Sequence, residues 1–383
     1  MKGKTSAKPK LTFHPIYTGN VPVFSPTSSP ELDALLTSFR TKIFVPAHLL
    51  KRHRDLIYKP TKSKMLSAAP EPITVDIGTE KVTLEPVDRY KDGPYHPSDI
   101  ARVLSLLSKT SSPASASVST PDSTTPASSS SSSSDWSNLI PFLQGLHASS
   151  RTLNAAQLEK TARLANTSGQ QGILTEAIRR VESTGFTLTA LPVVREVILG
   201  AHLRAAQANW DEAGIAKAFR QAETTIEALE DARHCGGRGI SAADPRAQPD
   251  IIGVVVELAA AHALKSHGGA DFDAGLVATY VTRLRATWHH ASFPALDPTS
   301  LRASRTALNE ANHALMRWAP VAHGLRLAAR VLEPRSELGV WLVQATKEVD
   351  AVVKATAEAL RSANKGSRPR GLSVLEGVES AAV

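Results

Sequence analysis

Cysteine is almost absent from this chain: 383 residues contain one, Cys235. A lone thiol excludes an internal disulfide and any zinc site built on paired cysteines, and it fits a reducing compartment. Aromatic residues are scarce at 5%, and the 42% apolar fraction rests on Ala, Leu and Val. That composition suits closely packed helices better than sandwiches or barrels, whose strands favour aromatic and β-branched side chains. No apolar run reaches the roughly 18–20 residues of a membrane span. The richest stretch, Ile251 to Leu264, is short and carries Glu257 and His262, which reads as a buried helix. Met1 to Lys10 is basic but no apolar core follows it, so no secretory signal is expected.

Catalytic constellations are missing too. His289 and His290 sit beside Trp288, but neighbouring helical residues point about 100° apart and cannot chelate through one face. The stretch Arg233-His234-Cys235-Gly236-Gly237-Arg238-Gly239 places a thiol beside cations and glycines. No strand precedes it, no lysine-hydroxyl pair follows, and no acid is placed to orient His234, so it reads as a loop closing the preceding helix. Carboxylates are dispersed among basic residues, with no pair set for acid–base work. The expectation is a chain with no catalytic residue, metal ligand or cofactor, and no small-molecule substrate.

What is present is charge in one place. Twelve Lys and Arg residues lie between Met1 and Lys64 against Glu31, Asp33 and Asp55, whereas the remainder holds 32 basic and 33 acidic residues. The whole formal excess of +8 therefore belongs to the first segment, which a polyanion would meet first.

The segments follow from composition and period. Residues 1–64 read as a basic extended arm with short helices, one opening at Pro30 with Ser29 as its cap and one over Val45 to Ile57. Residues 65–108 read as a small β-hairpin and helix region. Ile73 to Ile77 alternates, Gly78-Thr79-Glu80 turns, Lys81 to Leu84 returns, and Pro97 to Leu107 is helical. Residues 109–134 are almost wholly Ser, Thr, Pro and Ala, ending in Ser128 to Ser134, and read as a disordered linker. Residues 135–365 carry the helical period throughout, with a helix expected to bend or break at Pro320. Residues 366–383 read as a disordered tail. The fold class expected is mainly α: a helical-hairpin solenoid or an irregular bundle, preceded by the extended basic arm with its hairpin.

Within the helical part, Asn154 to Leu188 reads as helix, polar turn, helix, then Gly185-Phe186-Thr187-Leu188, and Ala190 to Leu229 repeats the plan. The small and apolar residues of Thr175-Glu-Ala-Ile-Arg-Arg align with those of Ala216-Lys-Ala-Phe-Arg-Gln. This pattern resembles the pentatricopeptide and tetratricopeptide repeat families. The basic, proline-containing arm beside a helical domain resembles fungal mitochondrial ribosomal and translation-associated proteins. That resemblance implies a structural, non-enzymatic part of a ribonucleoprotein in the mitochondrial matrix (otherwise the cytoplasm), with ribosomal RNA and neighbouring ribosomal proteins as partners. The RNA-binding residues expected are Lys2, Lys4, Lys8 and Lys10, together with Lys51, Arg52, Arg54, Lys59, Lys62 and Lys64. Tyr58, lying among them, is expected to stack on a base. The other reading is a helical-repeat adaptor for protein partners that binds no RNA.

Overall fold

The computed structural model describes residues 20–68, 70–88, 97–109, 135–293, 304–363, 368–381 and 383; residues 1–19 and, apart from Lys109, the linker expected over 109–134 lie outside this set. Leu32, Leu36, Phe39 and Ile43 recur at helical spacing. The chain obeys that spacing from α1 (Pro30–Phe39) through a π-helical turn (Arg40–Phe44) into α2 (Val45–His48). The Ser29 hydroxyl caps α1 by accepting from the Leu32 N–H, and Glu31 and Asp33 complement the helix dipole in the first turn. The apolar stripe closes on α6 (Leu139–Ala148). Phe39 and Phe142 meet edge to face at 5.0 Å. Phe44 lies flat over Gly145, where a Cβ would sit 2.3 Å from its ring.

The stretch expected to be an extended arm is therefore a folded layer from Pro30 onward. Its charge obscured one helix face that is wholly apolar. The residues before it are tied down too. The Ser25 backbone donates to and accepts from the Asn138 side-chain amide at 2.8 and 3.0 Å. Ser28 donates through both its N–H and its hydroxyl to the Asp135 carboxylate. The helix expected over Val45 to Ile57 is two helices. Leu49 and Leu50 are extended, with Leu49 buried, and α3 (Lys51–Tyr58) restarts before α4 (Pro60–Ala68).

The hairpin forms as the alternation predicts. β1 (Thr74–Ile77) pairs antiparallel with β2 (Glu80–Thr83), Val75 opposite Val82, and Gly78 at φ 59° supplies the left-handed turn residue. Two strands alone are marginal in water. Here the Arg40 guanidinium grips the Glu80 carboxylate at 2.5 Å and Val87 N–H bonds to Ile57 O at 3.2 Å, holding the region to the helical layer. α5 (Pro97–Lys109) buries Val103, Leu104 and Leu107 and packs on α1 and α7 (Ala155–Thr167).

Beyond α6, helices alternate between two rows. α7, α10 (Leu191–Gln207), α12 (Pro249–Ser266) and α14 (Arg305–Val331) lie side by side. α8 (Gln171–Arg179), α11 (Glu212–Glu230), α13 (Leu276–Thr287) and α15 (Glu337–Ala363) pack behind them, while the short α9 (Val181–Thr184) closes on α6. The result is a mainly α stack of helical hairpins. Local signals fix the joints. Asn154 and Gln157 form a reciprocal capping box on α7, and Asp211 caps α11 through Gly214 N–H at 2.6 Å.

Of the bend or break expected at Pro320, the break does not occur: α14 continues through it, where the burial of Trp318, Val321, Ala322 and Leu325 outweighs one lost backbone bond. One expectation is corrected here. The expected disordered tail contains α16 (Arg370–Glu379). Its Leu372, Leu375 and Val378 are buried, and it packs on α14 and α10. The Arg370 fork bonds both oxygens of Glu196 at 2.5 and 2.9 Å.

Small residues set the closest approach between helices. α12 and α14 cross where a Cβ on Gly324 would lie 2.8 Å from the Glu257 backbone nitrogen, and one on Gly253 2.7 Å from Val321. Gly324→Ala is therefore expected to push the two helices apart, at about 1–3 kcal/mol. Urea unfolding checks this as a lower midpoint with an unchanged slope. The same crossing seats a carboxylate in the core. Glu257 is fully buried, and it accepts from His202 Nδ1 on α10 at 2.9 Å and His323 Nδ1 on α14 at 2.7 Å. Burial favours the protonated acid, but the two histidines outweigh it and hold the carboxyl below the usual glutamate range. One side chain thus ties three helices of the front row.

Candidate nucleic-acid interface

α3 and α4 are short, and each is fixed by little apolar surface: Ile57 is buried on the first and Leu66 on the second. With those residues inside, the long side chains must point outward. Lys51, Arg52, Arg54, Lys59 and Lys64 are exposed and Lys62 is half-buried. Six cations therefore share one ridge with a single acid, Asp55.

Asp55 registers how closely the two helices bring their charges. Lys59 Nζ donates to it at 2.9 Å, and Lys59, Lys62 and Lys51 together hold its carboxyl below the usual carboxylate range. One carboxylate cannot neutralise the set. Lys51, Arg54, Lys62 and Lys64 make no ion pair among the described residues. Arg52 donates through Nε to His53 Nε2 at 3.2 Å. Partial burial, with Arg52 adding to it, keeps the His53 pKa below its ordinary value. Chemically the ridge offers a concentration of cations, most of them exposed and four without an ion pair among the described residues, which is what binding to a phosphate backbone needs.

The expected set is only partly brought together. Lys51, Arg52, Arg54, Lys59, Lys62 and Lys64 share the ridge, whereas Lys2, Lys4, Lys8 and Lys10 lie outside the described residues. Tyr58 does not stand free for stacking. Its ring packs against the core and its hydroxyl donates to Lys42 O at 3.3 Å, fastening α3 to the π-helical turn. Arg40, a cation earlier in the same layer, is spent on Glu80.

The remaining candidates are structural. Cys235 is buried with its thiol directed at Leu188 O, 3.2 Å away, and Leu188 N–H donates to His234 Nδ1 at 3.0 Å. The pair staples the loop after α11 to the entry of α10. Burial, with Asp244 nearby, pushes the thiol pKa up, the opposite of what a nucleophile requires. His289 and His290 lie in a 3-10 turn after α13, their rings 3.8 Å apart and tilted by 47°. No cluster of three His, Cys, Asp or Glu suited to a metal occurs among the described residues. No described helix is long and apolar enough to cross a membrane.

Against this geometry stand the comparisons with known proteins. A family model described as mitochondrial ribosomal protein mS27 matches residues 12–112 and 124–377, spanning both the basic layer and the hairpin stack. The small ribosomal subunit protein mS27 of Neurospora crassa is 26% identical over 231 residues, 60% of this chain and 51% of that protein. The chain thus spans about half the length of the curated relative it matches.

Proposed function

The chain belongs to the mitochondrial ribosomal protein mS27 family, and from that premise we propose that it is a non-enzymatic structural component of the small subunit of a fungal mitochondrial ribosome, working in the matrix. The observation that carries the mechanism is the α3–α4 ridge, where four cations make no ion pair among the described residues. Lys51, Arg52, Arg54, Lys59, Lys62 and Lys64 neutralise ribosomal RNA phosphates, and Lys2, Lys4, Lys8 and Lys10 extend that contact along the chain. The hairpin stack, formally near neutral, faces neighbouring ribosomal proteins. We read its hairpins as degenerate repeats of the pentatricopeptide and tetratricopeptide kind; their two-row packing supports this reading. They serve here as a scaffold and not as a reader of bases.

Sedimentation of native mitochondrial extract tests the assignment. The chain is expected to travel with small-subunit particles and to shift to the top of the gradient after RNase treatment. Migration in a small, RNase-insensitive complex would support a protein adaptor that binds no RNA.

A further inference from the structure

The front row of the stack encloses a groove of about 500 Å³ between α7, α10, α12 and α14. Its apolar wall comes from Pro192, Ile198, Leu199, Val254 and Met316. Most charged groups at its edge are already matched. Arg195 forks onto Asp250 at 2.6 Å, Glu196 holds Arg370 at 2.5 Å, and Glu159 faces Arg163 at 3.8 Å.

Arg317 is the exception. It is half-buried in the wall, it meets no carboxylate among the described residues, and its Nε reaches only the His313 carbonyl at 3.3 Å. Burial, with Arg195 adding to it and the Asp250 charge only partly opposing it, pulls its pKa below the usual guanidinium range, and it remains a cation. A half-buried cation with no direct ion pair among the described residues is costly, and folded proteins pair such groups. The one free acid of the groove, Glu310, lies seven residues away on α14, about 10 Å along the helix axis, beyond direct pairing.

We propose that this groove docks a segment of a partner protein that presents a carboxylate, from Asp, Glu or a chain terminus, to Arg317 beside an aliphatic side chain seated on the apolar wall. Charge decides the class of partner. A carboxylate supplies the direct ion pair that Arg317 lacks among the described residues, in the forked geometry a guanidinium matches. A nucleic-acid strand would bring several phosphates against Glu159, Glu196, Asp250 and Glu310, which line the same groove. The surface is thus separate in place and in sign from the α3–α4 ridge. Its partner is protein even if the ridge binds something other than ribosomal RNA.

The test is site-specific photo-cross-linking in the native assembly, from benzoylphenylalanine placed at Pro192, an exposed residue of the groove rim. The expected product is a peptide of another protein with an Asp, Glu or terminal carboxylate within about five residues of the linkage. Its yield should fall about tenfold with Arg317→Gln, the loss of one charge-assisted contact. The matching carboxylate-to-amide change in the identified partner should lower the yield equally, which separates a docking effect from misfolding of the Arg317 variant. Cross-links to RNA or to this chain itself, no cross-link, or a peptide whose yield ignores the partner's carboxylate would each overturn the proposal. Co-sedimentation with the small subunit is read separately, so the two readings fail independently.

Discussion

Replacing Lys51, Arg54, Lys62 and Lys64 together by glutamine is expected to weaken binding to ribosomal RNA about a hundredfold near 0.1 M salt. It should also flatten the log–log salt dependence by roughly three. These four cations make no ion pair among the described residues, so removing them breaks no salt bridge there. Surface substitutions of that kind usually change stability by no more than about 0.5 kcal/mol. Each phosphate contact releases condensed counterions, and the slope counts them at about 0.7–0.9 per contact. Fluorescence anisotropy with a ribosomal RNA fragment over a salt series measures both quantities. Substitutions of Arg40 and Tyr58 should behave differently. Arg40 already faces the Glu80 carboxylate and the Tyr58 hydroxyl is bonded to Lys42 O, so changes there should leave the slope closer to that of the parent chain. A quadruple variant with an unchanged slope would place the phosphate contacts elsewhere.

The largest stability effect is expected at Glu257. Glu257→Ala leaves His202 and His323 facing each other across a cavity at the α12–α14 crossing, without the acceptor that both now share. Removing one partner from a buried charged cluster costs about 3–5 kcal/mol. That is a large share of the roughly 5–15 kcal/mol by which domains are stable. Replacing all three polar groups by apolar residues of similar volume should recover much of the loss, since the cluster then leaves nothing unpaired.

The acid limb of the stability curve gives a second reading. In the unfolded chain a glutamate titrates near pH 4.3, and in the folded chain Glu257 titrates lower. Its contribution is therefore complete above the unfolded value. It disappears as pH falls through the folded value, because the unfolded state binds more protons in that window. The parent chain should lose stability on acidification below about pH 4 more steeply than Glu257→Ala does. Equal slopes in urea titrations across that range would show that the carboxylate is not held charged by its histidines.

Legibility in the sequence followed the range of the interactions involved. The hairpin was readable because alternation at Ile73 to Ile77 and the glycine at 78 are local, and the helices of the stack because caps such as Asn154 and Asp211 sit beside regular apolar periods. The arm was underestimated. Leu32, Leu36, Phe39 and Phe44 needed the distant α6 to give them a surface, and nothing near them in the chain announces Phe142. α16 escaped for the same reason: its burial depends on α14 and on Glu196, 174 residues away from Arg370. The cations of the ridge were legible as a run of residue types, since charge needs no partner to be seen. That the Tyr58 hydroxyl bonds to Lys42 O, and that Arg195 has an ion pair while Arg317 has none among the described residues, are tertiary facts with no local signature.

The most direct measurement is ultraviolet cross-linking of purified small mitochondrial subunits, followed by sequencing of the peptides that carry nucleotides. Peptides spanning Lys51 to Lys64 are expected to carry ribosomal RNA nucleotides, while peptides from α12 and α14 remain free of RNA. Particles that contain the chain but yield no cross-link between Lys51 and Lys64, with RNA attached to the hairpin stack instead, would contradict a basic ridge facing RNA and a helical scaffold facing protein.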